Sequence, residues 1–220
     1  MDDALNGPPA PFEPKTRPTS PAAMLHASNL VTYASLACGL VAVGAAVWYR
    51  NAPMAGLAMA LSVVADTFDG RFARRFERTA VEREFGAQLD SLADAVCSGL
   101  VPVAVLASIA LTPAPIVARA AWGVAALFYV IAVVTRLGFY NLVSDDDAFI
   151  GLPAPVGALA VATLLLFPAG AVAAAVVLIL CGALMLAPFR IMRPKGWRLL
   201  VFVAWALAVV AAHASRLLGS

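Results

Sequence analysis

An all-α, polytopic integral membrane protein with about seven transmembrane helices, six to eight, is the fold class this sequence predicts. Three observations carry it. Hydrophobic residues make up 62% of the 220 and charged residues only 13%, against about 45–50% and about 25% in soluble domains. The mean hydropathy is +0.88. Charge-free runs of membrane-spanning length recur along the chain. A surface so poor in polar groups needs lipid as most of its solvent. The formal net charge of +2 is too small to point to nucleic acid, and no nucleic-acid partner is expected. Cys38, Cys97 and Cys181 lie far apart in apolar runs. They make no CxxC pair and no zinc set, so they read as small packing residues.

A crossing takes roughly 20 apolar residues. The first run, residues 28–49, has twenty-two without a charge. The second covers residues 53–65 and continues into Asp66 and Asp69. The third starts near Gly86 and reaches Leu111, with Asp90 and Asp94 in its first turns. The fourth, residues 115–140, holds Arg119 and Arg136 near its ends. Residues 148–189 are forty-two without a charge. At about 1.5 Å per residue that is length for two crossings, and Pro168, Ala169 and Gly170 mark the break. The last run is residues 197–215. Residues 1–23 are polar and contain six prolines. They lack the charged-then-apolar order of a signal peptide and are expected to form a disordered cytoplasmic tail, leaving 24–220 as the transmembrane domain.

Lysine and arginine set the expected orientation. With the tail inside and seven helices alternating, only Arg50, Arg119 and Arg216 of the 15 basic residues fall outside, leaving 12 inside. This places the loop between the second and third helices in the cytoplasm.

The acidic residues near the membrane are not scattered. Asp66 and Asp69 are three apart at the end of the second run; Asp90 and Asp94 are four apart at the start of the third. Both spacings put a pair on one helical face. Antiparallel helices joined by a short loop bring the pairs to one membrane depth. Four carboxylates there repel one another and need cations or protons. Oxygen ligands without His or Cys point to Mg²⁺ or Mn²⁺, and this many carboxylates can hold two ions. A two-metal site suits displacement at phosphorus. Gly70 and Ala73 let a bulky ligand approach the helix backbone, and Arg74, one turn beyond Gly70, can pair with a phosphate. Two other readings stand beside this one: acids that only pair with Arg71, Arg74, Arg75 and Arg78, and a small cation or proton transporter whose acids line a pathway.

The string Asp66-x-x-Asp69-Gly70-x-x-Ala73-Arg74, followed by Gly86-x-x-x-Asp90-x-x-x-Asp94, resembles the signature of the CDP-alcohol phosphatidyltransferases. Eleven residues separate Arg74 from Gly86, two or three more than the family pattern usually has, which extends the loop or adds a helical turn. A narrower resemblance, to the bacterial and archaeal phosphatidylserine synthases, covers most of the chain after the tail. It rests on Asp90-Ser91-Leu92-Ala93-Asp94, Ser98-Gly99-Leu100-Val101-Pro102, Arg136-Leu137 leading to Asn141, and Gly151-Leu152-Pro153-x-Pro155. Asn29 and Thr32 fit the first-helix pattern. The family often has Arg and Phe before the Asn, where this chain has Phe139 and Tyr140.

The resemblance implies that an alcohol attacks the lipid-bearing phosphorus of CDP-diacylglycerol and that CMP leaves. It implies Asp66, Asp69, Asp90 and Asp94 as ligands of two Mg²⁺ or Mn²⁺ ions, with Asp94 also the general base. Gly70, Ala73, Arg74, Gly86 and Asn29 fall to the nucleotide and diphosphate. Serine is the implied acceptor; glycerol phosphate and inositol phosphate are the alternatives. Serine's carboxylate calls for a cation. Arg136 suits that role and equally suits a positive-inside anchor, and Asn141 is the second acceptor-side candidate. Arg190, Arg193, Lys195 and Arg198 form a second basic cluster, read first as an anchor to anionic headgroups. His26 and His213 are expected away from the chemistry. Family members are often homodimers, and the resemblance extends that expectation here. The expected location is the cytoplasmic membrane, multi-pass, with the site facing the cytoplasm.

Overall fold

The computed structural model describes residues 20–111, 114–143, 148–192 and 196–219. The expected tail up to residue 19, the acidic run Asp145–Asp147, and Arg193 and Lys195 lie outside the described residues. Two short 3₁₀ turns, Pro21–Met24 and Ala27–Asn29, lead into the first helix. Seven helices follow among the described residues: α1 Leu30–Val47, α2 Ala52–Ala73, α3 Ala80–Ala110, α4 Ile116–Leu142, α5 Ala154–Leu164, α6 Ala171–Leu186 and α7 Trp197–Leu218. The architecture is all-α and polytopic, and four of these helices are each long and apolar enough to cross a bilayer. The only strands among the described residues are β1 Ala148–Ile150 and β2 Arg190–Met192, an antiparallel ribbon pairing Ile150 with Arg190.

Helix α3 begins six residues before Gly86, earlier than the apolar run predicts. The cause is a reciprocal cap. Thr79 Oγ1 accepts from the Glu82 amide at 3.2 Å, and Glu82 Oε2 accepts from the Thr79 amide at 2.8 Å. This T-x-x-E arrangement satisfies two otherwise orphaned donors. The connection between α2 and α3 is therefore residues 74–79 alone, and the rest of the spacing from Arg74 to Gly86 is helix.

The charge-free run 148–189 holds two helices, broken where expected, but they have only 11 and 16 residues. At about 1.5 Å per residue α5 rises about 16 Å, well short of a hydrocarbon core of about 30 Å. The ribbon and a Pro153–Pro155 start consume the rest. Non-helical backbone is tolerated at membrane depth where it lines a cavity, and Pro153 and Pro155 do line one beside the aspartates.

Helix α3 widens into a π turn over Ala95–Leu100, directly after Asp94. Pro102 has no amide hydrogen, so it cannot serve the Ser98 carbonyl four residues back. The buried Tyr129 hydroxyl of α4 donates to that carbonyl at 2.7 Å instead. The defect in one helix is thus satisfied by a side chain of another, and α3 and α4 are held in register just beyond the acids.

The core runs along α1 with α2 and along α4 with α6, and α2 also packs on α5 and α7. Small residues permit the close approaches. His213 of α7 is fully buried, its Nε2 is 2.9 Å from the Ala162 carbonyl of α5, and its ring lies where a Cβ on Gly56 of α2 would sit. This residue joins three helices far from the acids. Gly56→Val is expected to lower the thermal unfolding midpoint in detergent, by overpacking of about 1–3 kcal/mol. Gly123→Val, at a position with nothing within 4 Å, is expected to leave it unchanged. Equal midpoints for the two variants would refute the three-helix contact.

Candidate metal and nucleotide centre

The C-terminal part of α2 presents Asp66 and Asp69, and the first half of α3 presents Asp90 and Asp94. The helices run antiparallel, and the pairs meet. All four line one cavity. Oxygens of Asp66, Asp69 and Asp90 all fall within 4.8 Å of one another. From α1, Thr32 Oγ1 donates to Asp69 Oδ2 at 3.2 Å. Carboxylates this close stay ionised only beside a cation. An all-oxygen donor set fits a hard divalent ion such as Mg²⁺ or Mn²⁺. Asp94 stands outside the three-membered set and faces Arg136.

Two cavities meet at this cluster. The smaller, about 210 Å³, is lined by Asn29, Thr32, Ala73, Gly86, Arg78 and Arg83. The larger, about 580 Å³, is lined by Asp66, Asp94, Arg136, Tyr140, Asn141 and the apolar Val156, Leu199 and Phe202. Asp69, Gly70, Arg74 and Asp90 line both. Of the residues expected for nucleotide and diphosphate, Asn29, Ala73 and Gly86 therefore line only the smaller cavity and Gly70 and Arg74 line both, whereas Arg136 and Asn141 line only the larger.

Local contacts explain these placements. Gly86 has no side chain where Arg78 Nη1 and Asn29 Oδ1 would each lie 3.3 Å from a Cβ. Ser28 Oγ donates to Asn29 Oδ1 at 3.3 Å, fixing the amide before α1 begins. Across the cluster, Ser91 Oγ donates to Asn141 Oδ1 at 3.0 Å, tying α3 to α4. Arg136 is only 7% exposed, and its Cζ lies 4.6 Å from the centre of the Tyr140 ring. That burial is more than a surface anchor needs. Of the second basic cluster, Arg190 belongs to β2, and Arg198 stacks on Trp197 at 5.7 Å.

Sequence reasoning did not single out Ser91, Tyr140, Arg78 or Arg83 for the site. Ser91 carries a signal: it follows Asp90 directly, so it shares the cavity end of α3. Tyr140 carries one too, one turn beyond Arg136 and next to Asn141, whereas the two arginines do not, because their places depend on how the α2–α3 connection folds.

The family model described as "CDP-alcohol phosphatidyltransferase" matches residues 25–210 of this chain. The CDP-diacylglycerol–serine O-phosphatidyltransferase of Mycobacterium bovis (strain ATCC BAA-935 / AF2122/97) is 36% identical over 146 residues, covering 62% of this chain and 48% of that protein. The protein of the same name from Bacillus subtilis (strain 168) is 32% identical over 127 residues, 57% of this chain and 67% of that one. A Helicobacter pylori (strain J99 / ATCC 700824) relative of that name is 32% identical over 136 residues, 60% and 54%. The chain spans about half the length of the mycobacterial relative it matches. It belongs to the CDP-alcohol phosphatidyltransferase family.

The three-carboxylate set makes a direct prediction. Asp66→Ala is expected to weaken Mn²⁺ binding by at least tenfold, which is about 1.4 kcal/mol, read by metal titration of the purified protein. An unchanged titration would remove Asp66 from the ligand set.

Proposed function

We propose that this chain transfers a phosphatidyl group from CDP-diacylglycerol to the hydroxyl of serine, forming phosphatidylserine and releasing CMP. The observation that carries this reading is the pair of cavities joined at one carboxylate cluster, with Asn29 and Gly86 in the smaller and the buried Arg136 in the larger. Family membership and the printed names of the relatives support the choice of donor and acceptor.

Asp66, Asp69 and Asp90 would hold the divalent ions, with Asp94 beside them. When bound, such ions neutralise phosphate oxygens and the leaving group. The chain's own residues do the rest. Gly70 and Ala73 leave room for the diphosphate along α2, and Arg74 pairs with it. Asn29 and Gly86 form the nucleoside end. Asp94 faces the larger cavity, where it takes the proton of the serine hydroxyl as that oxygen attacks phosphorus and the bond to CMP breaks. Arg136 receives the serine carboxylate, and Asn141 is the further acceptor-side group. Arg71 and Arg74 line the same cavity as Arg136, so the choice of serine over glycerol phosphate or inositol phosphate is supported by the names of the relatives rather than by the number of cations. The site faces the cytoplasm of the cytoplasmic membrane in this reading, which the sequence supports: seven alternating crossings would put 12 of the 15 basic residues on the side of the α2–α3 loop.

CMP release by purified protein tests the proposal. CDP-diacylglycerol and Mn²⁺ or Mg²⁺ are supplied, with serine, glycerol phosphate or inositol phosphate in separate reactions. Release with serine, with phosphatidylserine as the lipid product, is expected, and removing the metal with a chelator should abolish it. Release with a phosphorylated alcohol alone would replace the acceptor. No release from folded protein would turn attention to ion flux. In the same assay Asp94→Asn is expected to lower turnover by roughly 100-fold or more while leaving nucleotide binding largely intact. Near-normal turnover in that variant would sink the general-base role.

A further inference from the structure

Arg136 enters the larger cavity from an apolar helix. A long side chain there selects a ligand only if something holds its head in place. Tyr140, one turn on, does so. Its ring lies 4.6 Å from Arg136 Cζ, a distance at which the electron-rich face attracts a guanidinium. The far end of the same side chain is fastened to backbone. The Tyr140 hydroxyl donates to the Ile150 carbonyl at 3.3 Å and accepts from the Ile150 amide.

Ile150 is the last residue of β1 and pairs with Arg190 of β2. The chain just beyond is pinned as well. The Gly151 amide donates to the Phe189 carbonyl at 2.8 Å, and the Leu152 amide to the Leu184 carbonyl at 2.9 Å. Gly151 has φ +71, and a Cβ there would meet the Met185 carbonyl. This position accepts only glycine without strain. The ribbon is therefore a fixed support bound to the end of α6, and Tyr140 is the link between it and Arg136.

We propose that Tyr140 is a positioning residue for acceptor recognition: its ring seats the Arg136 guanidinium in the larger cavity, and its hydroxyl ties that seat to the β1–β2 ribbon. The inference rests on Arg136 as the cation that receives the acceptor's carboxylate.

The test uses the full chain in detergent, with serine varied at saturating CDP-diacylglycerol and Mn²⁺. Tyr140→Leu is expected to raise KM for serine roughly 3- to 30-fold. Its kcat should stay within about twofold, and its CMP affinity should stay that of the parent, because neither depends on the acceptor's carboxylate. Tyr140→Phe keeps the ring and loses the tie, so its KM should fall between the parent and Tyr140→Leu. A parent-like KM in Tyr140→Leu would overturn the proposal. So would equal losses in KM, kcat and CMP affinity, which a merely structural role produces. If Tyr140→Leu does not fold, Tyr140→Phe decides alone, and an unchanged KM overturns the proposal. Arg136→Leu separates the two levels: a raised KM there with none in the Tyr140 variants removes only the positioning role. A serine KM unmoved by Arg136→Leu removes the acceptor reading, and this inference with it.

Discussion

Four half-buried carboxylates gathered around one cavity in an apolar bundle, three of them within 4.8 Å of one another, are the constraint on which the rest of this molecule depends. Their mutual repulsion and desolvation work against the fold unless a cation sits among them. Tertiary packing must hold α2 and α3 in place against that force. The features around the cluster address this one problem. Thr32 reaches over from α1 to Asp69, and Ser91 ties α3 to Asn141 of α4. The Tyr129 hydroxyl closes the π turn that follows Asp94. Each is a polar bond between helices, so each sets register where lipid-like packing alone would not.

The cluster also divides the space around it. Asp69 and Asp90 belong to both cavities, whereas Asp66 and Asp94 face only the larger one. A diphosphate bound at the shared wall has its two ends in different compartments. The compartment beside Asn29 and Gly86 is small and flanked by a donor and an acceptor, which suits a planar polar group. The compartment beside Asp94 is larger and contains the buried Arg136. Under the proposed function the base Asp94 and the acceptor cation Arg136 share one compartment, apart from the nucleoside end, which is the arrangement a displacement at phosphorus requires.

Much of this was legible in the sequence because it is local. Aspartates at i, i+3 and i, i+4 declare a shared face, and two antiparallel helices with a short connection bring such faces together. The break at Pro168–Gly170 was equally readable. The early start of α3 was readable too: Thr79 and Glu82 have capping-box spacing, and weighing hydropathy alone hid it. Other features were not accessible. The ribbon pairs residues about forty apart through three-residue strands, which leave no period to detect. That ribbon is what shortens α5 and α6 below the two full crossings that the forty-two-residue run implied. Pro102 announces a carbonyl without its helical donor, but nothing in the sequence says that Tyr129 supplies one. His213 lies away from the acids, as expected, but nothing local announces its three-helix contact, because its partners Gly56 and Ala162 lie more than fifty residues away.

The short α5 bears on how a membrane enzyme admits an amphiphile. A full-length helix would bury Pro153 and Pro155 beyond the polar layer, and the cavity would have a closed apolar wall. Because α5 rises only about half the hydrocarbon thickness, its proline start reaches the level of the aspartates and lines their cavity. The same cavity is bounded by Val156 of α5 and by Leu199 and Phe202 of α7. One wall is thus ionic and the facing wall apolar. A ligand with a charged head and hydrocarbon chains satisfies both walls at once. A purely water-soluble nucleotide would leave the apolar wall wet, and a simple lipid would leave the carboxylates without a counter-charge. Under the proposed function, selectivity for a liponucleotide therefore begins with the length of a helix that contributes no charged group to the chemistry.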